Sequence, residues 1–513
     1  MIGKIVWNWA GLFITGAVGV VITPLMIHKL GALQYGLWIL VSSLLDYYGL
    51  LDLGIRAAVF RYAARYSGMQ ARRELDETFV SSLSVTVVIC AVVCLLSFLF
   101  AGVLPQFFVK TTADRATFRW LVILIGTSLG IAFPTRIFAS YLSALQRWDL
   151  FNLAPIVTVV VRGILIVAVL WRGYGVLEVG IVTFAVSVAG LVLHLGFVLR
   201  ADRHACFDWR RARWARVREL FGFSFHSSLL LVGDYLRFYS DSIVIARVLA
   251  ISLVTPFSVA GKLIEYFKQI IIAAGGPISG EMSELDGQAK EEELRNLFLR
   301  STRMMALLVV LGGSLLILNG KALIELWVGK ELLSSYPILV LLAVAYIIGL
   351  AQQPSLLAVI ARAHHGPLGW WTVGEGLANL GLSIYWAREY GIMGVALGTA
   401  VPMLFIKLIV QPWYTLKSLR LSAWTYVSQA LARPAVVCGV FLAVCALVGV
   451  TRMPADPALF VGALVAETAF FSLLAFFVGM SADDRARLMP RFQQLLRLRA
   501  GEKAASTSVG LGD

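Results

Sequence analysis

The chain has 513 residues, of which 59% are hydrophobic, and it carries a formal net charge of +14 at pH 7. A soluble globular protein is about 45 to 50% apolar, so this composition excludes that class and predicts a polytopic membrane protein. The basic residues lie mainly in loops between apolar segments, as is typical of a cytoplasmic membrane face, and nucleic acid is therefore excluded as a partner.

Fourteen apolar segments follow one another along the chain, and each has the length of about 20 residues that a helix needs to cross a bilayer. They lie at residues 8–28, 35–54, 79–104, 119–141, 151–171, 177–199, 221–247, 252–274, 303–326, 335–358, 368–388, 392–416, 431–450 and 457–479. No small-residue cleavage site follows the first segment, which is therefore predicted to be a retained span. The predicted fold class is an all-α polytopic membrane protein with about 14 transmembrane helices.

The loops on alternate sides of these spans differ in charge. With the N-terminus in the cytoplasm, 28 of the 44 Lys and Arg residues lie in cytoplasmic segments and 10 in outer segments. Because loops rich in Lys and Arg stay in the cytoplasm, both termini are predicted to be cytoplasmic.

Two short internal matches indicate a duplication. The segment Tyr174–Val176 resembles Tyr390–Ile392 at an offset of 216 residues. A weaker match at an offset of 219 places Asp46 in register with Glu265. We therefore predict two six-helix lobes in parallel orientation, since an even number of spans returns the chain to its starting side.

The predicted organisation has five parts. They are an N-lobe (1–199), a basic cytoplasmic linker (200–220), a C-lobe (221–420), spans 13 and 14 (421–480) and a cytoplasmic tail (481–513). The linker contains seven arginines. These could bind the anionic headgroups of membrane lipids, or they could simply keep the loop on the cytoplasmic side.

Charged residues interrupt several of the apolar spans. A charge at the bilayer centre costs about 2.5 to 3.5 kcal/mol on insertion scales, so most of these side chains are expected to face water, a substrate or each other. The in-span cations are Arg136, Arg162, Arg237, Lys262, Lys268 and Lys407, and we predict that they form a cationic substrate-binding cavity. The acids predicted to balance charge or to couple an ion are Asp46, Asp234, Asp241, Glu265 and Glu375.

Local spacing leaves alternatives open for some of the cations. Arg237 could be neutralised by acids on its own helix, at Asp234 and Asp241. Arg136 and Lys407 could extend to the membrane interface instead of entering a cavity. Arg162 has no acid within one helical turn, which makes it the strongest candidate for contact with an anionic substrate.

The acids allow ion coupling but do not require it. A carboxyl group in a membrane cavity could carry a proton or bind Na⁺, or it could only neutralise a nearby cation. The five cysteines form no C-x-x-C pair, and neither a metal site nor a cofactor is expected. No G-x-x-x-x-G-K-[ST] loop occurs in the sequence, so ATP hydrolysis is not supported.

Four segments carry a resemblance to a known family. They are ITPLMIHKLGALQYGLWIL (Ile22–Leu40), LLDLGIRAAVFRYAA (Leu50–Ala64), SALQRWDLFNLAPIV (Ser143–Val157) and Phe221–Ile251. These segments resemble the Wzx polysaccharide flippases of the MOP superfamily, and the last of them resembles the seventh span of that family. The resemblance implies a bacterial inner-membrane transporter, with two lobes around a cationic cavity that opens alternately to each side. The implied substrate is a polyprenyl-diphosphate-linked oligosaccharide unit, and a polysaccharide polymerase or chain-length machinery is an implied partner.

Two other functions compete with this hypothesis. A multidrug or cation antiporter of the same superfamily is expected to favour acidic over basic residues in its cavity, whereas four of the in-span cations lie in the predicted second lobe. A membrane glycosyltransferase or polymerase needs sizeable loops that carry catalytic side chains, and the predicted outer loops are short. The sequence therefore favours a flippase that is not an enzyme.

Overall fold

The computed structural model describes residues 2–52, 55–109, 111–203, 205–362, 366–449 and 456–486, and all regular structure within these ranges is helical. The predicted tail beyond residue 486 lies outside the described residues. The first half contains α1 (Ile2–Asp46), α2 (Ile55–Gly68), α3 (Arg72–Val103), α4 (Pro105–Phe108), α5 (Thr112–Ala144), α6 (Trp148–Trp171) and α7 (Val176–Ala201). The second half contains α8 (Trp214–Val248), α9 (Val254–Gly287), α10 (Glu291–Val328), α11 (Ser335–Ala351), α12 (Gln353–Ala361), α13 (Gly366–Tyr390), α14 (Ile392–Phe405), α15 (Gln411–Leu419), α16 (Ala423–Tyr426), α17 (Ala432–Val448) and α18 (Pro457–Leu474).

The turn between the first two predicted spans lies within α1. Gly31 has φ 74° and ψ 170°, so two helical segments meet at a kink at this residue. Glycine reaches a positive φ readily because it has no Cβ atom. The kink therefore lies between the predicted spans at residues 8–28 and 35–54.

Polar side chains begin several of the helices. At the start of α18, the Asp456 side chain accepts hydrogen bonds from the backbone amides of Ala458 and Leu459. At the start of α7, Glu178 accepts a 2.9 Å hydrogen bond from the backbone amide of Gly175. Such contacts satisfy amide groups that have no partner inside the helix.

Ten helical segments within the described ranges are long and apolar enough to cross a membrane. The first of them, Phe13–Asp52, contains two of the predicted spans. Predicted spans 7, 8 and 11 coincide with α8, α9 and α13, which are not among the ten. These are helices that carry in-span charges. The all-α, multi-pass architecture is confirmed, and the count of fourteen spans stays a prediction.

The chain divides into two compact units. Unit 1 comprises residues 1–266, 327–342 and 365–403, and unit 2 comprises residues 267–326, 343–364 and 404–513. The predicted duplication and the predicted lobe boundaries remain predictions.

Within unit 1, α8 and α13 pack against each other at small residues. A Cβ atom on Gly233 would lie 2.5 Å from the carbonyl oxygen of Thr372, and one on Gly376 would lie 3.0 Å from the carbonyl oxygen of Gly233. These distances are too short for a larger side chain. The close approach brings the polar residues of the two helices into hydrogen-bond range.

The predicted basic linker is tied to the beginning of α3. Arg211 lies 3.2 Å from Asp76, and Arg213 lies 3.0 Å from Glu77. Arg216 also approaches Glu77, at 3.6 Å. Three of the seven linker arginines are therefore paired with acids of α3, and lipid binding by the others stays a prediction.

Among its described residues, unit 2 has two apolar cores and a buried ion cluster. One core surrounds Phe298 and the other surrounds Phe441. Asp484, just after the last predicted span, lies 2.5 Å from Arg303 and 3.1 Å from Arg300, and its side chain is only 2% exposed. Because both arginines belong to α10, this carboxylate anchors the end of the described chain to that helix.

Candidate functional site

Arg136 and Arg162 line one cavity in unit 1. The cavity has a volume of about 300 Å³, lies between α5, α6 and α7, and is mainly apolar. His194 also lines it, and the Nδ1 atom of this histidine lies 2.7 Å from the carbonyl oxygen of Gly190. The structure therefore brings two of the six predicted in-span cations together.

Arg162 has no acidic partner among the described residues. Its Nε atom is buried and makes no hydrogen bond. A buried charge without a partner is costly, and buried polar atoms normally have hydrogen bonds. This arrangement favours an anionic ligand at Arg162.

Arg136 approaches the same cavity from α5. Its guanidinium lies 5.5 Å from the centre of the Phe133 ring, and it interacts electrostatically with Asp46. The predicted acid of span 2 thus partly balances a cation of span 4. Arg136 reaches the cavity, and extension to the membrane interface is not needed to explain its position.

Arg237 lies between two carboxylates. It donates a 2.7 Å hydrogen bond to Asp234 of its own helix and another, also 2.7 Å, to Glu375 of α13. The Glu375 side chain is 1% exposed and that of Asp234 is 47% exposed. Helical spacing pointed to Asp241 as the second partner, but the contact across α8 and α13 supplies Glu375. Arg237 is therefore neutralised within unit 1.

Asp241 lies in a cluster of polar oxygen atoms. It is 4% exposed and accepts a 2.7 Å hydrogen bond from the Thr399 hydroxyl. The Ser383 hydroxyl lies 3.5 Å from the Asp241 carboxylate and 3.0 Å from the side-chain oxygen of Asn379. The Val395 carbonyl oxygen lies 3.2 Å from the Ser383 hydroxyl. Three helices, α8, α13 and α14, supply these five oxygen-bearing groups.

Such a cluster could hold a small hard cation, because carboxylate, hydroxyl, amide and carbonyl oxygens are the ligands such ions prefer. It contains only one carboxylate. Among the described residues, no group of three or more His, Cys, Asp or Glu side chains is placed to hold a metal ion.

Lys262 is held by polar and aromatic contacts. Its ammonium donates a 2.9 Å hydrogen bond to the Thr23 hydroxyl and lies 5.5 Å from the centre of the Tyr35 ring. Glu265, on the same helix, is half-buried. Lys262 therefore links α9 to α1, which is a structural role that helical spacing alone does not indicate.

The last two predicted cations, Lys268 and Lys407, belong to unit 2. Lys268 is half-buried on α9. Lys407 lies in the π-helical turn Ile406–Val410 and donates a 2.8 Å hydrogen bond to the Gln411 side chain. The structure does not place either of them in the cavity with Arg162, and their substrate role stays a prediction.

Asn379, Ser383 and Thr399 are the polar residues of this site that sequence reasoning missed. Asn379 and Ser383 are four residues apart in an apolar helix, so they share one face. That spacing is the signal that could have identified them. Thr399 belongs to a Gly-Thr pair, Gly398-Thr399, within another apolar segment.

Comparisons with known proteins identify the family. Residues 2–283 match the family described as "Polysaccharide biosynthesis protein". No curated protein matches the sequence significantly.

Solved structures of transporters share the fold. The lipid II flippase MurJ in an inward closed conformation has a TM-score of 0.71 at 13% identity and covers 92% of this chain and 98% of its own. An inward-facing multidrug resistance MATE family transporter of the MOP superfamily has a TM-score of 0.64 at 13% identity, with 81% and 95% covered. A mutant of the Vibrio cholerae MATE transporter VcmN has a TM-score of 0.59 at 15% identity, with 81% and 95% covered.

The family match spans more than half of the chain, and the structural matches extend the MOP transporter fold over most of it. The resemblance to Wzx-type flippases agrees with both findings. The chain belongs to the polysaccharide biosynthesis protein family and has the fold of the MOP superfamily.

Proposed function

We propose that this protein is a flippase that moves polyprenyl-diphosphate-linked oligosaccharide units across the bacterial inner membrane by alternating access. It supplies cell-surface polysaccharide synthesis, with both termini in the cytoplasm. The observation that carries the proposal is half-buried Arg162, whose Nε atom is buried without a hydrogen bond and which has no acidic partner among the described residues, in a cavity that it shares with Arg136. The family membership of the chain supports it.

The proposed substrate has the chemistry that this cavity needs. A diphosphate carries negative charge and several acceptor oxygens, and a guanidinium can donate two parallel hydrogen bonds to such a group. Arg162 would supply this fork, while Arg136 would add a second positive charge. The binding energy of the diphosphate would offset the cost of burying Arg162.

We propose that transport is coupled to an ion gradient through Asp241. A buried carboxylate that has hydroxyl donors but no direct salt bridge in the described contacts can exchange its hydrogen bonds for a cation or accept a proton. Na⁺ and H⁺ are both compatible with this chemistry. Transport assays under a Na⁺ gradient or a pH gradient distinguish them.

The leaflet distribution of lipid-linked units tests the proposed function. A cell that lacks the protein is expected to accumulate these units on the cytoplasmic leaflet, and the wild-type gene is expected to restore the outer population. An unchanged distribution would refute the flippase. Drug-dependent efflux of ethidium or norfloxacin by reconstituted protein would instead support the multidrug antiporter of the same superfamily.

A polysaccharide polymerase or chain-length protein is the proposed partner, because it would consume the exported unit on the outer face. Co-purification of such a protein with the flippase after mild detergent extraction tests this association. Purification of the flippase without either partner would argue against a stable complex.

A further inference from the structure

Three tyrosines from two predicted spans form a cluster in unit 1. Tyr47 directly follows α1, while Tyr235 and Tyr239 are four residues apart on one face of α8. The ring centroid of Tyr47 lies 6.4 Å from that of Tyr235 and 6.1 Å from that of Tyr239. The centroids of Tyr235 and Tyr239 are 5.1 Å apart. We refer to these three residues as the tyrosine cluster.

Within the part of the chain that the structure describes, the hydroxyl groups of the tyrosine cluster make no hydrogen bond. All three side chains are half-buried. Their hydroxyl oxygen atoms are not among the fully buried ones, so they stay accessible. The neighbouring Tyr48 differs, because it is buried, accepts a 3.2 Å hydrogen bond from Ser97 and stacks on Phe100. The cluster thus presents accessible aromatic rings with free polar edges.

The Tyr235 ring occupies the space that a side chain at Gly49 would need. A Cβ atom on this glycine would lie 1.9 Å from the Tyr235 hydroxyl oxygen. No real Cβ atom tolerates that distance, so any larger residue must displace the ring. This contact offers a way to disturb the cluster without changing a tyrosine.

Three carboxylates interact electrostatically with Tyr239, and a guanidinium offsets part of their charge. Asp46, Asp234 and Glu265 lie within electrostatic range of Tyr239, and Arg136 lies within range of Asp46. Arg237 also binds Asp234, as described above. The local environment therefore offers many hydrogen-bond acceptors without a large excess of one charge.

We propose that the tyrosine cluster is a stacking platform for an uncharged sugar ring of the transported unit. This inference rests on the proposed flippase function and adds a glycan-binding subsite to it. The C–H face of a pyranose packs against aromatic π surfaces, while sugar hydroxyls donate hydrogen bonds to the carboxylates. An organic cation would also favour tyrosine faces, and it is the alternative occupant that the tetraphenylphosphonium measurement below tests.

Two soluble probes separate the sugar contact from the diphosphate contact. Farnesyl diphosphate carries the anion alone, and farnesyl diphosphate linked to N-acetylglucosamine carries one sugar. Stacking tolerates different sugars because every pyranose has a C–H face. Full-length protein in nanodiscs is expected to bind the sugar-bearing probe about tenfold more tightly than farnesyl diphosphate.

The double substitution Tyr235→Ala and Tyr239→Ala is expected to abolish this preference and to leave the affinity for farnesyl diphosphate unchanged. Gly49→Ala is expected to reduce the preference as well, with all three tyrosines retained. Tyr239→Phe keeps the ring and should keep most of the preference. The matched control is Tyr385→Ala, which removes a 67% exposed tyrosine of the same unit.

The outcomes distinguish the two proposals. If wild type binds both probes equally, or if the tyrosine variants keep the full preference, the stacking platform is wrong while the flippase stands. If wild type binds neither probe, the proposed function itself is contradicted. If tetraphenylphosphonium binds and depends on the tyrosines, the cluster is a cation site and the sugar platform is overturned.

Discussion

The guanidinium of Arg237 donates a 2.7 Å hydrogen bond to Glu375, which lies 138 residues further along the chain. The Glu375 side chain is 1% exposed, whereas Asp234, the other partner of Arg237, is 47% exposed. One cation thus has a buried and an exposed carboxylate, which allows the two contacts to be compared within one site.

We expect Glu375→Ala to destabilise the protein by about 3 kcal/mol, because removing one member of a buried pair leaves the other charge poorly compensated. Asp234→Ala should cost less than about 1 kcal/mol, because an exposed ion pair contributes little. Unfolding of purified protein in mixed micelles measures both. Equal losses for the two variants would show that burial does not determine the strength of these contacts.

Arg162→Ala is expected to reduce export of lipid-linked units at least tenfold, because the diphosphate loses a charge-assisted hydrogen-bond donor. Arg162→Lys keeps the charge but not the planar fork, so it should restore only part of the activity. Counting units on the outer leaflet of complemented cells gives the rates.

Arg172→Ala is the matched control, since Arg172 is exposed and directly follows the same helix. It should export at the wild-type rate. Wild-type export by Arg162→Ala, with normal insertion, would remove Arg162 from the substrate site.

Asp241→Asn is expected to uncouple transport from the ion gradient, because the amide can neither take up a proton nor supply a full negative charge to Na⁺. Thr399→Val should weaken the coupling, since it removes the hydroxyl that lies 2.7 Å from Asp241. Uptake into proteoliposomes under imposed Na⁺ and pH gradients measures the effect.

Glu467→Gln serves as the control for Asp241. Glu467 is also a buried acid, but it lies in unit 2 and accepts a 2.7 Å hydrogen bond from Asn319. Its variant should respond to both gradients as wild type does. If Asp241→Asn transports with unchanged gradient dependence, the coupling proposal fails.

The contacts of Asp484 predict a dependence of stability on pH. Burial favours the neutral acid, but hydrogen bonds from Ser481 and the Arg303 guanidinium outweigh it, so the pKa of Asp484 is held below its ordinary value of 3.8. The contribution of this carboxylate is therefore fully present above pH 3.8 and is lost as the pH falls through the lower folded-state pKa.

We expect wild type to lose stability in that acidic range more steeply than Asp484→Asn, which lacks the ionisable group. At neutral pH the variant should be less stable by about 3 kcal/mol, since it leaves Arg303 without its buried partner. Parallel stability curves for the two proteins across the acidic range would contradict this role of Asp484.

The sequence predicts the helices better than the contacts between them. Ten helical segments in the described ranges that are long and apolar enough to cross a membrane lie at predicted spans, and the kink at Gly31 lies between the first two of the predicted spans. Helical spacing also identifies Asp234 as a partner of Arg237. It reports only neighbours within about one turn, however, and cannot reveal Glu375, which approaches because α8 and α13 pack together.

The same limit applies to the polar cluster around Asp241. The sequence selects charged residues because their cost in a bilayer is large, but Ser383 and Thr399 carry no charge and occur commonly in membrane helices. Lys262 shows the converse. Its charge predicts a contact with the substrate, yet its ammonium contacts Thr23 and Tyr35, which are far away in the sequence.

The glycine contact between α8 and α13 restricts how the protein can move. A Cβ atom on Gly233 would collide with the backbone of Thr372. At this point the two helices therefore have no layer of side chains between them along which they could slide. Sliding one past the other would also break the Arg237–Glu375 pair. In the proposed transport cycle the two helices would move together as one rigid pair, which carries Asp241, Asn379 and Ser383 together with two of the three tyrosines.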